Sequence, residues 1–186
     1  MAIRKIARMG HPVLREPAAP VVDPTAPEIH ALVADMYETM IDADGLGIAA
    51  PQVYVPLRVV IFFMPESGDA SSERELVVLI NPTIEPLDDS IAGAWEGCLS
   101  VPGLRGWVER PERIRYRATA LDGSAIDRDA DGMHARVVQH ECDHLDGRLY
   151  PTRMTDISSL VFTSEWRHYV GASAATRATE RESDAD

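Results

Sequence analysis

Cysteine is nearly absent from this sequence. Cys98 and Cys142 are the only two in 186 residues, too few for the disulfide framework that staples small secreted domains. Aromatic residues are sparse at 6%, so a core has to rest mostly on aliphatic side chains. No apolar run has the length of a membrane span. The opening "MAIRKIARMG" lacks the apolar segment and small-residue cleavage site of a secretory signal. Positive charge is short as well: 30 acidic residues against 18 basic give a net charge of −12, the wrong sign for a broad electrostatic footprint on nucleic acid. Together these absences lead us to expect a cytoplasmic protein. In that reducing compartment a cysteine near histidines serves as ligand, nucleophile or plain core.

What is present reads as one domain. Hydrophobic residues make up 45%, enough for a proper core at this length. Pro12, Pro17, Pro20, Pro24 and Pro27 make residues 11–27 an extended arm. Thr25 and Glu28 have the spacing of a capping box. Ile29, Leu32, Val33, Met36, Tyr37 and Met40 follow at helical intervals, until Gly45 and Gly47 break the pattern. Residues 57–64 and 75–82 are short, β-branched runs expected to be strands, with a polar loop between them. Residues 113–123 alternate, with Ile114, Tyr116, Ala118 and Ala120 on one face, into a turn at Asp122-Gly123. A second helix is expected over 132–146, stopped by Gly147, and a last one near Asp156 carrying Leu160, Val161 and Trp166. The class is α+β. Residues 1–170 are read as a single catalytic domain and 171–186 as a disordered acidic tail.

The stretch "QHECDH" (139–144) carries the chemistry. Helical residues four apart share a face, about 6 Å apart at Cβ, so His140 and His144 can point at one ion. Glu141 sits on the edge of that face. Cys142 is turned roughly 200° away at 3.6 residues per turn, so the nearer cysteine is the wrong one. Cys98, in "WEGCLS" (95–100), has a charge and a glycine beside it, which fits a ligand loop better than a buried strand. Cys98, His140 and His144 make three protein ligands and leave a position for water, the pattern of a catalytic rather than a structural site. Taken alone, HExxH is as compatible with a solvent-facing helix or a core histidine, and a lone cysteine is most often simply buried. His11, His30, His134 and His168 are read as surface or loop residues, and Cys142 as a packed thiol behind the helix.

"GLGIAAPQ" (45–52) has no GxGxxG and no preceding strand, so it is not a dinucleotide fingerprint. Its small residues fit either backbone passing close to a ligand or an ordinary tight turn. Gln52 is the one side chain in it that both donates and accepts hydrogen bonds.

The ordered trio "GLGIAAPQ", "EGCLS" and "QHECDH" resembles the peptide deformylases, with "GHPVL" and "DHLDGRLY" also similar. The resemblance spans most of residues 1–155. It implies short antiparallel sheets packed around a central metal-binding helix. It also implies removal of the formyl group from the N-terminal formylmethionine of nascent polypeptides, with release of formate. The implied ligands are Cys98, His140 and His144, and the implied metal is Fe2+, with Zn2+, Ni2+ or Co2+ able to occupy the site; imidazole and thiolate suit iron and zinc alike. Glu141 becomes the general base and acid. By the same resemblance, the Gln52 amide and the Leu99 backbone N–H donate to the oxyanion. Leu46, Gly47 and Gly97 hold the peptide as an added strand, Arg105 reaches a substrate carbonyl, and Val137 lines the methionine pocket. Arg136 departs from members with an apolar residue there and is similar to the "ARxxQHE" form of mitochondrial-type members. Some bacterial members dock on the ribosome through a basic C-terminal helix. Residues 154–186 hold six acidic and three basic residues, which does not support that contact. The expected partners are N-formylmethionyl peptides and nascent chains, without a membrane. Two alternatives share the HExxH chemistry or the fold: a zinc endopeptidase, and a non-catalytic metal-containing binding protein.

Overall fold

The computed structural model describes residues 2–64 and 75–170. The expected loop at 65–74 and tail at 171–186 lie outside these. Helix α1 spans Pro27–Asp42. Strands β1 (Gly47–Ala49), β2 (Val59–Phe63), β3 (Leu76–Pro86), β4 (Ile91–Cys98), β5 (Val101–Pro111), β6 (Arg113–Thr119) and β7 (Ala125–Asp131) follow. Helix α2 covers Gly132–Leu145, and a short strand β8 covers Val161–Phe162. The strands form two antiparallel sheets, one in the order β1-β2-β3-β6-β7 and one in the order β4-β5-β8.

All five residues of β2 are buried, because helices cover both faces of its sheet. Side chains alternate across a strand. Val60 and Phe62 therefore pack toward α2, with Ala135, Val138, Cys142 and Leu145. Val59, Ile61 and Phe63 pack toward α1, with Ile29, Leu32, Val33, Met36 and Met40. Each such full burial stabilises by roughly 1.5–3 kcal/mol before entropy is subtracted. A third cluster, Val101, Val108, Leu149 and Tyr150, fills the space under the smaller sheet. Helix α2 touches strands of both sheets, which makes it the element on which both can place residues.

Several local expectations change in the fold. The capping box does not form: α1 starts at Pro27 after Ala26, without a side-chain cap. Proline at this first position needs no N–H partner, and the Thr25 hydroxyl instead donates to Asp23 Oδ1 at 2.8 Å. The stretch before Cys98 is not a loop but strand β4, which ends at Cys98. A charge is tolerated there because Glu96 is fully paired, as described below. No helix begins at Asp156. Residues Ile157–Ser159 form a 3-10 turn, Val161 pairs with Arg105 in β5, and helical backbone returns only at 166–170. His134, expected at the surface, is half-buried, with its ring 5.6 Å from that of Tyr116 and Nε2 at 3.2 Å from the Tyr116 hydroxyl. Among the described residues, no helix is long and apolar enough to cross a membrane.

Candidate metal centre and catalytic cleft

Helix α2 is bounded by two glycines at positive φ, Gly132 (+51°) and Gly147 (+68°). At Gly147 a Cβ would lie 2.5 Å from the Arg15 carbonyl oxygen, so only glycine lets the chain turn there against the N-terminal arm. One turn apart on this helix, the His140 and His144 rings have centroids 5.3 Å apart. Cys98 arrives from the other sheet, where the β4–β5 pairing shifts register between Glu96 and Cys98. Its Sγ lies 3.4 Å from His144 Nε2, and the ligand atoms of Cys98, His140 and His144 all fall within 4.8 Å of one another. A tetrahedral ion with sulfur at about 2.3 Å and nitrogen at about 2.0–2.1 Å separates such atoms by roughly 3.5 Å. The donor set and its spacing fit a divalent metal. Cys142, by contrast, is buried in the core between α2 and the larger sheet, and burial raises its thiol pKa.

One buried charge in the centre has no role assigned from the sequence. Glu96 is 6% exposed and accepts from Arg110 Nε (2.7 Å) and Nη2 (2.9 Å), Arg136 Nη1 (2.6 Å) and His140 Nδ1 (2.8 Å). Burial opposes its charge, but the bonds from Arg110 and His140 outweigh that and hold the carboxyl well below the usual range. By accepting the hydrogen bond from Nδ1–H of His140, Glu96 fixes the tautomer that leaves Nε2 free for an ion. Arg110 also donates to Asp143 Oδ2 at 2.8 Å, and Arg153 joins from outside at 3.2 Å. Arg136, the residue whose charge was unexpected near a methionine pocket, spends that charge on Glu96 and on the Val108 (3.0 Å) and Ala92 (2.7 Å) carbonyls. The local signal was the isolated glutamate before Gly-Cys; nothing near Arg110 or Asp143 in the chain announces their pairing.

Glu141 is 5% exposed. Burial drives its pKa up to about 7, and its Oε2 has no hydrogen-bond partner among the described residues. Burial also lowers the His144 pKa well below its usual value, keeping that imidazole neutral. The Gln52 side chain is oriented from both ends: Oε1 accepts from Ala49 N at 2.8 Å, and Nε2 donates to Ser100 Oγ at 3.1 Å and toward Cys98 Sγ at 3.6 Å.

These groups open into a cleft of about 520 Å3. Every residue singled out from the sequence lines it except His144, which is 1% exposed behind Cys98. Gly47 opens β1 directly after Leu46, and Gly97 and Cys98 close β4 directly before Leu99. Each of these strands is the outer edge of its sheet. Arg105 lies with its guanidinium 5.2 Å from the Trp166 ring centroid. Val137 is buried in the wall, and Met133 and Trp95, which sequence reasoning missed, line it as well.

Comparison with known proteins agrees with this arrangement. The family model described as polypeptide deformylase matches residues 3–159. The chain is 52% identical over 164 residues to peptide deformylase 1 of Bordetella pertussis, covering 87% of this chain and 93% of that protein. It is 53% identical to peptide deformylase 2 of Ralstonia nicotianae over the same length, covering 87% and 92%. Among solved structures it is similar to a Met-Ala-Ser-bound class I type b peptide deformylase from Acinetobacter baumannii, with TM-score 0.74 and 36% identity, covering 82% of this chain and 98% of that one. A fold that sets two edge strands beside a Cys-His-His cluster, and a sequence about half identical to such enzymes over 87% of its length, have one explanation: the chain belongs to the polypeptide deformylase family.

Proposed function

We propose that this chain removes the formyl group from N-terminal formylmethionine of nascent polypeptides, acting in the cytoplasm as a single catalytic domain over residues 1–170. The observation that carries the reading is the convergence of Cys98, His140 and His144 within 4.8 Å in the wall that also presents Glu141 and Gln52. Cys98, His140 and His144 would hold a divalent ion, which would supply Lewis acidity toward the formyl carbonyl and lower the pKa of water from near 16 to about 7. We assign Fe2+ as the working ion.

The remaining steps belong to the protein. Glu141, buried in the cleft wall with Oε2 unpartnered among the described residues, takes a proton from the attacking water and returns it to the departing amine. The formyl oxygen becomes negative as its carbon turns tetrahedral. Gln52 Nε2, held by the bond of Oε1 to Ala49 N, and the Leu99 N–H donate to it. The peptide lies extended between the edges of β1 and β4, where Leu46, Gly47 and Gly97 offer backbone groups. Arg105 binds a peptide carbonyl. The methionine side chain occupies the part of the cleft walled by Val137 and Met133.

Formate release from formyl-Met-Ala-Ser, set beside cleavage of an unformylated, internally quenched peptide, tests this reading against an endopeptidase. Formate without internal cleavage supports it. Glu141→Ala separates an enzyme from a metal-containing binding protein: metal is retained and turnover falls at least about 10²-fold. Metal analysis of protein purified without oxygen, paired with activity, tests the iron assignment.

A further inference from the structure

The N-terminal arm is pinned across the catalytic loops. Ala7 N donates to Gln52 O at 2.8 Å, and Met9 N donates to Ser100 O at 2.7 Å. Arg4 Nε reaches Asp35 Oδ2 at 3.0 Å. The backbone between these anchors is therefore fixed, and with it the directions in which the intervening side chains leave. The Lys5 and Arg8 side chains are exposed and have no ion-pair or hydrogen-bond partner among the described residues.

Both line a groove of about 740 Å3 together with Arg4, Ile6, His11 and Tyr54. Among the described residues no carboxylate lines it, and no acidic residue precedes Glu16 in the chain. This is a local reversal in a protein of net charge −12. The groove shares two walls, Leu99 and Pro102, with the catalytic cleft. Among the described residues the carboxylates lining the cleft are those of Asp44, Glu96 and Glu141.

We infer that this groove receives the downstream residues of the formylated peptide and selects for acidic side chains at about the fourth to sixth positions. An extended chain advances about 3.3–3.6 Å per residue, so three residues beyond a cleft-bound tripeptide span roughly 10 Å. Residues of that reach are the ones that would meet Lys5 and Arg8 beyond Leu99 and Pro102, the two walls the groove shares with the cleft. Continuity with the peptide cleft makes a peptide, rather than a polynucleotide, the occupant. This inference rests on the deformylase reading.

The test compares formyl-Met-Ala-Ser with the same peptide extended by three glutamates or three lysines. The acidic extension is expected to exceed the basic one about three- to tenfold in kcat/KM at low ionic strength, falling below about twofold at 0.5 M salt. In the Lys5→Glu/Arg8→Glu double variant the order reverses, while the unextended tripeptide is turned over at the wild-type rate. Lys5 is the chain's only lysine, so carbodiimide coupling of the acidic peptide should yield a single lysine adduct. Equal rates for the two extensions in the wild type would overturn the inference. So would an unchanged order in the double variant, or a double variant that loses RNA binding but keeps the peptide preference. Failure on the tripeptide itself would overturn the deformylase reading instead.

Discussion

Gly47 faces the carboxylate of Glu141 so closely that a Cβ built on it would meet Oε1 at 2.5 Å. The atom that has to yield is the end of a flexible side chain, so an alanine here is expected to fold. What it displaces is the group proposed above for proton transfer. A misplacement of about 1 Å costs on the order of 10²-fold in rate. Gly47→Ala is therefore expected to keep its metal and its melting temperature while kcat falls about 10²-fold; steady-state kinetics with metal analysis checks both halves.

Gln52 is 1% exposed and bonded at both ends. If its amide serves the transition state rather than the substrate, Gln52→Ala lowers kcat by about 10²–10³-fold and leaves KM within a fewfold. A loss confined to KM would instead assign the amide to ground-state binding.

The two thiols are expected to part company. Cys98→Ser should lose its metal or exchange it for another, because a hydroxyl is a poorer, harder ligand than thiolate. Cys142→Ser should retain metal and activity at a stability cost of about 1–3 kcal/mol for a hydroxyl in an apolar core. Metal content and urea denaturation of the two variants read this directly, and the reverse pattern would contradict the helix-face geometry.

Arg110 joins Glu96 to Asp143 where all three are nearly sealed from water. Arg110→Met leaves two buried carboxylates short of a partner, and breaking such a pair from one side costs about 3–5 kcal/mol. Chemical denaturation should show that loss. Because Glu96 has its pKa depressed, its contribution is present above the ordinary carboxylate range and is lost on acidification, so the gap between wild type and variant should narrow at low pH.

Glu141 behaves oppositely. Burial raises its pKa from 4.5 to about 7, so in metal-stripped protein its ionisation costs stability as pH rises through that window. At about 1.4 kcal/mol per pKa unit the cost reaches at most about 3 kcal/mol above pH 7. Metal-stripped Glu141→Gln should thus be more stable than metal-stripped wild type at pH 8, with the difference vanishing near pH 4.5. An equal difference at both pH values would show that the gain comes from something other than ionisation.

Local periodicity made much of this protein readable. The i, i+4 histidines, their separation from Cys142 around the helix, the alternation of Ile114 and Tyr116, and the stop at Gly147 follow from backbone geometry that neighbouring residues dictate on their own. The edge strands and the Glu96 network were not readable in the same way. Glu96, Arg110 and Arg136 are brought together by a strand pair and a helix distant in the chain, and no residue type declares which opposite charge will meet it.

The chain alone pointed to the side chains proposed for the chemistry and to the helix face that His140 and His144 share. Tertiary structure decided that Cys98 ends a strand rather than sitting in a loop, that a buried carboxylate orients His140, and that basic residues of the N-terminal arm border the cleft. The physical reason is range: helical and strand periods are set over a few residues by sterics and hydrogen bonding, whereas burial and charge pairing depend on which distant segments the whole core packs together.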